Sequence, residues 1–243
     1  MKNIEQYRNT IYNTDCIAGM SMLPDHSIDM ILCDLPYGIT ACRWDSIIPF
    51  DLLWEQYNRV IKANGAIVLT AAQPFTTALI RSNQKAFRYC WYWVKNRKTG
   101  FTFAKYQPMR CVEDICVFYK KAPTYNPQGI IVHDTPILSR GKRFSSGKDS
   151  IYRKDGSLAH DTYQAVSNYP SQVLYFPCEY GLHPTQKPVA LFEYLIRTYT
   201  NPGDLVLDSC MGSGTTKIAC RNTGRDYVGF EIDSEYYKIA ISR

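Results

Sequence analysis

Apolar runs that stop abruptly at an acid or a turn signal recur along this 243-residue chain. Ile28 to Gly38 reads IDMILCDLPYG. A run of this length, bounded this way, predicts a buried strand of a parallel sheet. Pro36 has no N–H and biases Leu35, so the strand cannot continue. Asp34 is then expected at its C-terminal end, where open α/β sheets place their chemistry. AIVLTAA, FRYCWYWV, CVEDICVFY, DLVLD and DYVGFEID read as further strands, and Ile11 and Tyr12 as a short first one.

Helical spacing fills the gaps between these runs. Phe50, Leu53, Trp54, Tyr57, Val60 and Ile61 predict a helix from Pro49 to Val60, ended by Asn64-Gly65. Pro74 to Gln84 reads as a second helix, and Asp15 as the N-cap of a short early one. Pro188 opens a helix with the stripe Val189, Phe192, Leu195, Ile196 and Tyr199, and SEYYKIAISR closes the chain. Strands alternating with helices predict an α/β fold: a Rossmann-like, mostly parallel sheet with helices on both faces. Ala122 to Tyr180 breaks the pattern, being rich in Gly, Pro, Ser, Asn and short basic runs. Little regular structure is expected there, and SRGKRFSSGKDSIYRKDG is expected to order only on an anionic partner. The predicted organisation is therefore one domain from 1–121 and 181–243, interrupted by an insertion at 122–180.

Charge sharpens the division. The net charge is +6, but Lys85 to His160 holds fifteen Lys and Arg against five Asp and Glu, so this stretch carries +10 and the rest of the chain −4. A basic segment between acidic flanks, interleaved with Phe101, Phe103, Tyr106, Phe144 and Tyr152, fits a nucleic-acid partner. Nine cysteines without a Cys-x-x-Cys pair or metal-like Cys/His spacing point to reduced thiols, a cytosolic compartment and no metal. MKNIEQYRNT has no apolar leader, and no stretch approaches the roughly 20 apolar residues of a membrane span.

Two stretches carry chemistry. At Asp34-Leu35-Pro36-Tyr37, a carboxylate beside a backbone carbonyl offers two acceptors to an –NH2 group, and Tyr37 offers a flat face to a base. In DSCMGSGTTKIAC, Gly212 and Gly214 allow a tight turn and close backbone approach of a ligand to a helix N-terminus. The following strand ends near Glu231, seventeen residues past Gly214, an interval suited to an acid that binds ribose hydroxyls. Gly-Lys-Ser/Thr does not occur, which excludes a P-loop, and Lys217 replaces the third glycine of a dinucleotide oxidoreductase.

Asp34 to Tyr37 resembles the Asp-Pro-Pro-Tyr motif of the DNA amino-methyltransferases, which methylate N6 of adenine or N4 of cytosine. DSCMGSGTT resembles their Asp-Pro-Phe-x-Gly-Ser-Gly-Thr-Thr, with Ser209 and Cys210 in place of Pro-Phe. Trp93-x-Lys95, CVEDICVFY with Glu113 as its acid, HPTQKP, and Pro-Tyr-Gly running into ITACRWD resemble further motifs of the family, the last being typical of phage and prophage adenine enzymes. The order is that of the permuted β class, and the resemblance covers residues 12–120 and 181–243.

The resemblance implies S-adenosylmethionine as cofactor. It would be held by Asp15, Cys16, Asp34, Thr185, Lys187, Asp208, Met211, Gly212, Ser213, Gly214, Thr215, Thr216, Glu231 and Ile232, with catalysis at Asp34, Leu35, Pro36 and Tyr37. Duplex DNA is the implied partner, met by Trp44, Lys95, Arg97, Lys98, Lys105, Arg140, Lys142, Arg143, Lys148 and Arg153, with 122–180 as target-recognition insertion. The class is compatible with a homodimer, with a cognate restriction endonuclease, and with the cytoplasm of a bacterial or phage-infected cell. The motif's leading Asp favours adenine over cytosine. RNA or a protein glutamine is the other acceptor of such sites, and a silent DNA-binding relative is the non-enzymatic alternative. Pro177-Cys178, superficially like the nucleophilic Pro-Cys of C5-cytosine enzymes, falls in the wrong order for that chemistry.

Overall fold

The computed structural model describes residues 3–38, 45–139, 161–179, 181 and 186–243. They form two compact units: Met1–Asn126 with Ser171–Arg243, and Pro127–Pro170.

The larger unit is built on an eight-stranded sheet of order β1-β10-β9-β2-β3-β5-β4-β8. Its strands are β1 (Thr10–Asn13), β2 (Ile28–Asp34), β3 (Ile61–Ala71), β4 (Phe87–Thr99), β5 (Arg110–Phe118), β8 (Val173–Tyr175), β9 (Leu205–Asp208) and β10 (Asp226–Glu231). β1, β10, β9, β2 and β3 are mutually parallel. β5 runs antiparallel to both β3 and β4, and β8 parallel to β4.

Period-2 alternation in β2 splits its apolar side chains between two cores. Ile31 and Cys33 join Leu53, Trp54 and Tyr57 of α2 (Phe50–Val60), Met20 of α1 (Cys16–Met22) and Leu79 of α3 (Phe75–Ser82). Met30 and Leu32 join Leu191, Phe192 and Leu195 of α4 (Val189–Tyr199), Ala219 of α5 (Thr215–Thr223) and Ala240 of α6 (Ser234–Ser242). Fully burying each such aliphatic side chain contributes about 1.5–3 kcal/mol. The strand is therefore held from both faces, and its terminal acid sits on a rigid support.

Three expectations are corrected. First, α2 ends at Val60, and Asn64-Gly65 lies inside β3, not at a helix terminus. The pairing jumps from Ile28 opposite Ile61 to Met30 opposite Ala66, so these residues form a bulge. A Cβ at Gly65 would lie 2.7 Å from the Asp29 carbonyl oxygen, which accounts for the glycine without a helix stop. Second, β4 runs past Val94, where the predicted FRYCWYWV strand ends, to Thr99, so Arg97 to Thr99 belong to a hairpin arm. Third, 122–180 contains strands. β6 (Ile131–Ser139) and β7 (Thr162–Ser167) pair antiparallel within the smaller unit. β8 adds to the main sheet beside β4, with Leu174 buried in its core. β7 and β8 are short, and Pro136 inside β6 interrupts its period. The smaller unit is accordingly narrower than 122–180.

The chain leaves and rejoins the main sheet at tied points. The Asn126 N–H donates to the Thr198 carbonyl at 2.7 Å, and its side-chain amide donates to the carbonyls of Arg197 and Thr200 at 3.2 and 3.0 Å. On return, Val173 pairs with Tyr92.

Candidate active site

β2 and β9 are neighbours, with Ile31 opposite Leu207, and from them the chain winds outward in opposite directions. This is the switch point at which an open α/β sheet binds its ligands. Asp34 ends β2, and Asp208 ends β9.

The Asp34 carboxylate is held by three elements. Oδ1 accepts from the Tyr37 hydroxyl at 2.8 Å and from the hydroxyl of Thr70, its register partner on β3. Oδ2 accepts from Lys187 Nζ at 2.8 Å. Lys187 is also 3.4 Å from Glu113 Oε2, and Glu113 Oε1 accepts from Lys95 Nζ at 2.7 Å. The result is a line of alternating charge, Asp34, Lys187, Glu113 and Lys95, with side chains 24%, 6%, 14% and 11% exposed. Burial alone would push the Lys187 ammonium down, but the charges of Asp34 and Glu113 outweigh it and hold it above the ordinary lysine range. Burial likewise opposes ionisation of Glu113, and Lys187 and then Lys95 reverse this and lower it. Burial, reinforced by Asp34 and Glu113, pushes the Tyr37 phenol well up, so it stays a neutral donor. The Tyr37 ring stacks on Phe75 at 5.1 Å and 26°.

The glycine turn follows β9. Asp208 accepts from the Thr216 hydroxyl and from the Cys210 N–H at 3.0 Å, and burial pushes it up to about 6. Ser209, standing where the resembled motif has an imino acid, is buried against the Tyr57 hydroxyl at 2.6 Å and Cys33 Sγ at 3.2 Å. Gly212 has a φ of 53°, and its N–H donates to Glu231 Oε2 at 2.7 Å; Glu231 Oε1 accepts from the Asp233 N–H at 2.8 Å. Burial pushes Glu231 up against the pull of these two donors. Gly214 has a φ of 85°, and a Cβ there would meet Ala240 Cα at 3.1 Å, so its smallness serves the packing of α6. Lys217 donates to the carbonyls of Ala240 and Ile241, both at 3.0 Å, closing the end of the last helix.

Both strand ends open on one cavity of about 1140 Å³. Of the residues named from sequence, its walls include Asp15, Cys16, Asp34 to Tyr37, Lys95, Arg97, Lys187, Asp208, Met211 to Ser213, Thr215, Glu231 and Ile232. Asp15 also caps α1 through the N–H groups of Ile17 and Ala18. Gly214 and Thr216 act one layer back, through Ala240 and Asp208. Lys98 and Lys105 lie exposed on the β4–β5 hairpin. Trp44, Arg140, Lys142, Arg143, Lys148, Arg153 and Thr185 lie outside the described residues. Thr70 and Arg110 were not singled out from sequence. Thr70 had a signal, being the lone polar side chain in the apolar run AIVLTAA.

Ligand pockets typically measure about 300–1,000 Å³, so this cavity has room for a nucleoside cofactor and a second planar group. Asp15, Glu231 and the Gly212 turn line the same cavity as Asp34.

A family model described as DNA methylase matches residues 28–242. DNA adenine methyltransferase YhdJ of Escherichia coli (strain K12) is 31% identical over 249 residues, covering 96% of this chain and 82% of the relative. Type II methyltransferase M.HpaI of Haemophilus parainfluenzae is 26% identical, covering 95% and 72%. Among solved structures, the M1.HpyAVI–SAM complex superposes with a TM-score of 0.63 at 24% identity, covering 96% of this chain and 98% of that one. The cytosine-N4-specific PvuII DNA methyltransferase superposes with a TM-score of 0.70 at 16% identity, covering 96% and 85%. These two likenesses establish the fold.

Proposed function

Because the chain belongs to the N6/N4 DNA methylase family, we propose that it transfers a methyl group from S-adenosylmethionine to N6 of adenine at a specific sequence of duplex DNA, with the target base turned out of the helix into the cavity. What supports this is that Asp34 and the Gly212 turn line one cavity at adjacent strand ends. The relative that is 31% identical is named an adenine methyltransferase, and the motif begins with Asp.

The cofactor supplies an electrophilic methyl group on a sulfonium. Glu231, Asp15 and the turn at Gly212 hold its nucleoside end. Three donors already occupy the Asp34 carboxylate, two on Oδ1 and one on Oδ2. A carboxylate has about four acceptor sites, so Oδ2 keeps one for an amine N–H. The Leu35 carbonyl takes the other N–H. Two such bonds draw the nitrogen toward tetrahedral geometry, localise its lone pair and aim it at the methyl carbon. The C–N bond forms as the S–C bond breaks, and the acidified N–H proton leaves by way of Asp34. Positioning and fixed charge supply the acceleration. Extruding the base costs a few kcal/mol, which contacts to the phosphates offset. Pro127–Pro170, with the basic residues its sequence contains, is assigned to target choice.

The test uses labelled S-adenosylmethionine and unmethylated plasmid DNA, followed by digestion to nucleosides. N6-methyl-2′-deoxyadenosine is expected. N4-methylcytosine would replace the adenine reading, and label in RNA or protein but not in DNA would end the DNA reading.

A further inference from the structure

We propose that the tip of the β4–β5 hairpin is a wedge that enters duplex DNA, with Phe101 and Tyr106 taking the stacking place of a base that has left the helix. The ribbon's pairing extends outward to Thr99 opposite Arg110. Residues along its length line the cavity: Lys95, Arg97 and Thr99 on one arm, Arg110 and Glu113 on the other. At the tip Gly100 takes a φ of 91°, and a single 3-10 turn, Phe101–Phe103, follows. The Phe103 and Ala104 N–H groups donate to the Gly100 and Phe101 carbonyls, each at 3.0 Å, and the Tyr106 N–H donates to the Phe103 carbonyl at 2.9 Å. The backbone thus satisfies itself and turns its rings outward. Phe101 is 83% exposed, Tyr106 86% and Phe103 56%. Three large rings in water on one tight turn mark a contact surface and not a core.

Charge selects the partner. Between Asn96 and Val112 stand Arg97, Lys98, Lys105 and Arg110, with no Asp or Glu. A second copy docking through the same hairpin would bring like charge to like charge. A polyanion with flat apolar faces between its charges matches both the cations and the rings. Apolar side chains that enter a duplex do so between base steps, where unstacking opens a gap. The wedge stands beside the cavity's hairpin wall, so the gap and the pocket for the extruded base are neighbours. The proposal rests on the DNA reading above and adds to it how the duplex is kept open.

A duplex with one abasic site presents that gap in any sequence, so the test needs no recognition site. Fluorescence anisotropy compares binding of the full chain to a random-sequence duplex and to the same duplex with one abasic site. The wild type is expected to bind the abasic duplex about tenfold tighter, in line with one stacked base. Phe101→Ala/Tyr106→Ala is expected to lose that preference while keeping its salt dependence, its melting temperature and its affinity for S-adenosylmethionine. Phe101→Leu/Tyr106→Leu, apolar but without a stacking face, is expected to lose it too. A wild type that binds both duplexes equally overturns the wedge. So does a double variant that keeps the preference, or one whose only change is loss of a dimer in sedimentation. Methyl transfer to plasmid DNA is scored separately. An aromatic-dependent abasic preference without transfer leaves the wedge and ends the methyltransferase reading, and transfer without the preference does the reverse.

Discussion

Lys187→Met removes the ammonium from between Asp34 and Glu113 and keeps most of the side-chain volume. The lysine contributes a charge-assisted bond to Asp34 Oδ2 at 2.8 Å and an ion pair to Glu113 at 3.4 Å. A bond of the first kind is worth roughly 1.5–3 kcal/mol, which corresponds to a fall of roughly 10- to 150-fold in kcat if it orients the carboxylate in the transition state. The stability loss is expected to be smaller than the about 3–5 kcal/mol of a fully buried broken pair, because Glu113 keeps Lys95 and Asp34 is 24% exposed. The assay is steady-state methyl transfer to plasmid DNA, with the dissociation constant of S-adenosylmethionine measured by calorimetry on the same preparations. A positioning role predicts a lower kcat, a nearly unchanged cofactor constant and partial recovery in Lys187→Arg. Glu113→Gln should lower kcat less, and the two changes should combine non-additively, since they disturb one network. Wild-type kcat in Lys187→Met refutes the reasoning. A weakened cofactor constant with kcat intact would make Lys187 a cofactor contact, the role implied by its motif.

Asp34→Ala is expected to abolish turnover and spare cofactor binding; measurable turnover in that variant removes Asp34 from its assigned role. Asp208 is raised from 3.8 to about 6 in the folded chain, so between these values the folded state binds more protons than the unfolded state and stability falls as pH rises through the window. The displacement is worth about 3 kcal/mol, present as extra stability below the window and lost above it. The melting temperature of Asp208→Asn should therefore gain on that of the wild type from pH 4 to 6.5 and then stay level, and a constant offset would contradict this. Gly214→Ala combines a φ of 85° with a 3.1 Å approach to Ala240, whereas Gly212→Ala meets only a φ of 53° in open space. The first should therefore destabilise by about 2–3 kcal/mol and the second by about 1, as read by denaturant unfolding; the reverse order would be inconsistent with this packing.

The buried strands and the acids at their ends were legible because a fully covered strand writes itself as an unbroken apolar run, as in Ile28 to Asp34 and Leu205 to Asp208. The Asp15 cap was legible because it needs only local geometry. Asn64-Gly65 misled because a glycine that admits a neighbouring backbone carries the same letter as one that ends a helix. The outer arm of β4 was missed because Lys95 to Thr99 alternates between a cavity and solvent, two polar environments that leave no hydrophobic period. The link from Lys187 to Asp34 spans 153 positions. Local pattern holds no trace of such a pair, and only the sheet order brings it together.

The bonds of Asn126 to the end of α4 and the pairing of Val173 with Tyr92 act as two rivets. The stretch between them, Pro127–Pro170, forms its own compact unit. Lengthening a connection whose ends are already fixed is cheap, about 0.6 kcal/mol per doubling. Between such rivets the chain is expected to tolerate rewriting or shortening while the main sheet keeps its fold, like a key blank recut at one end.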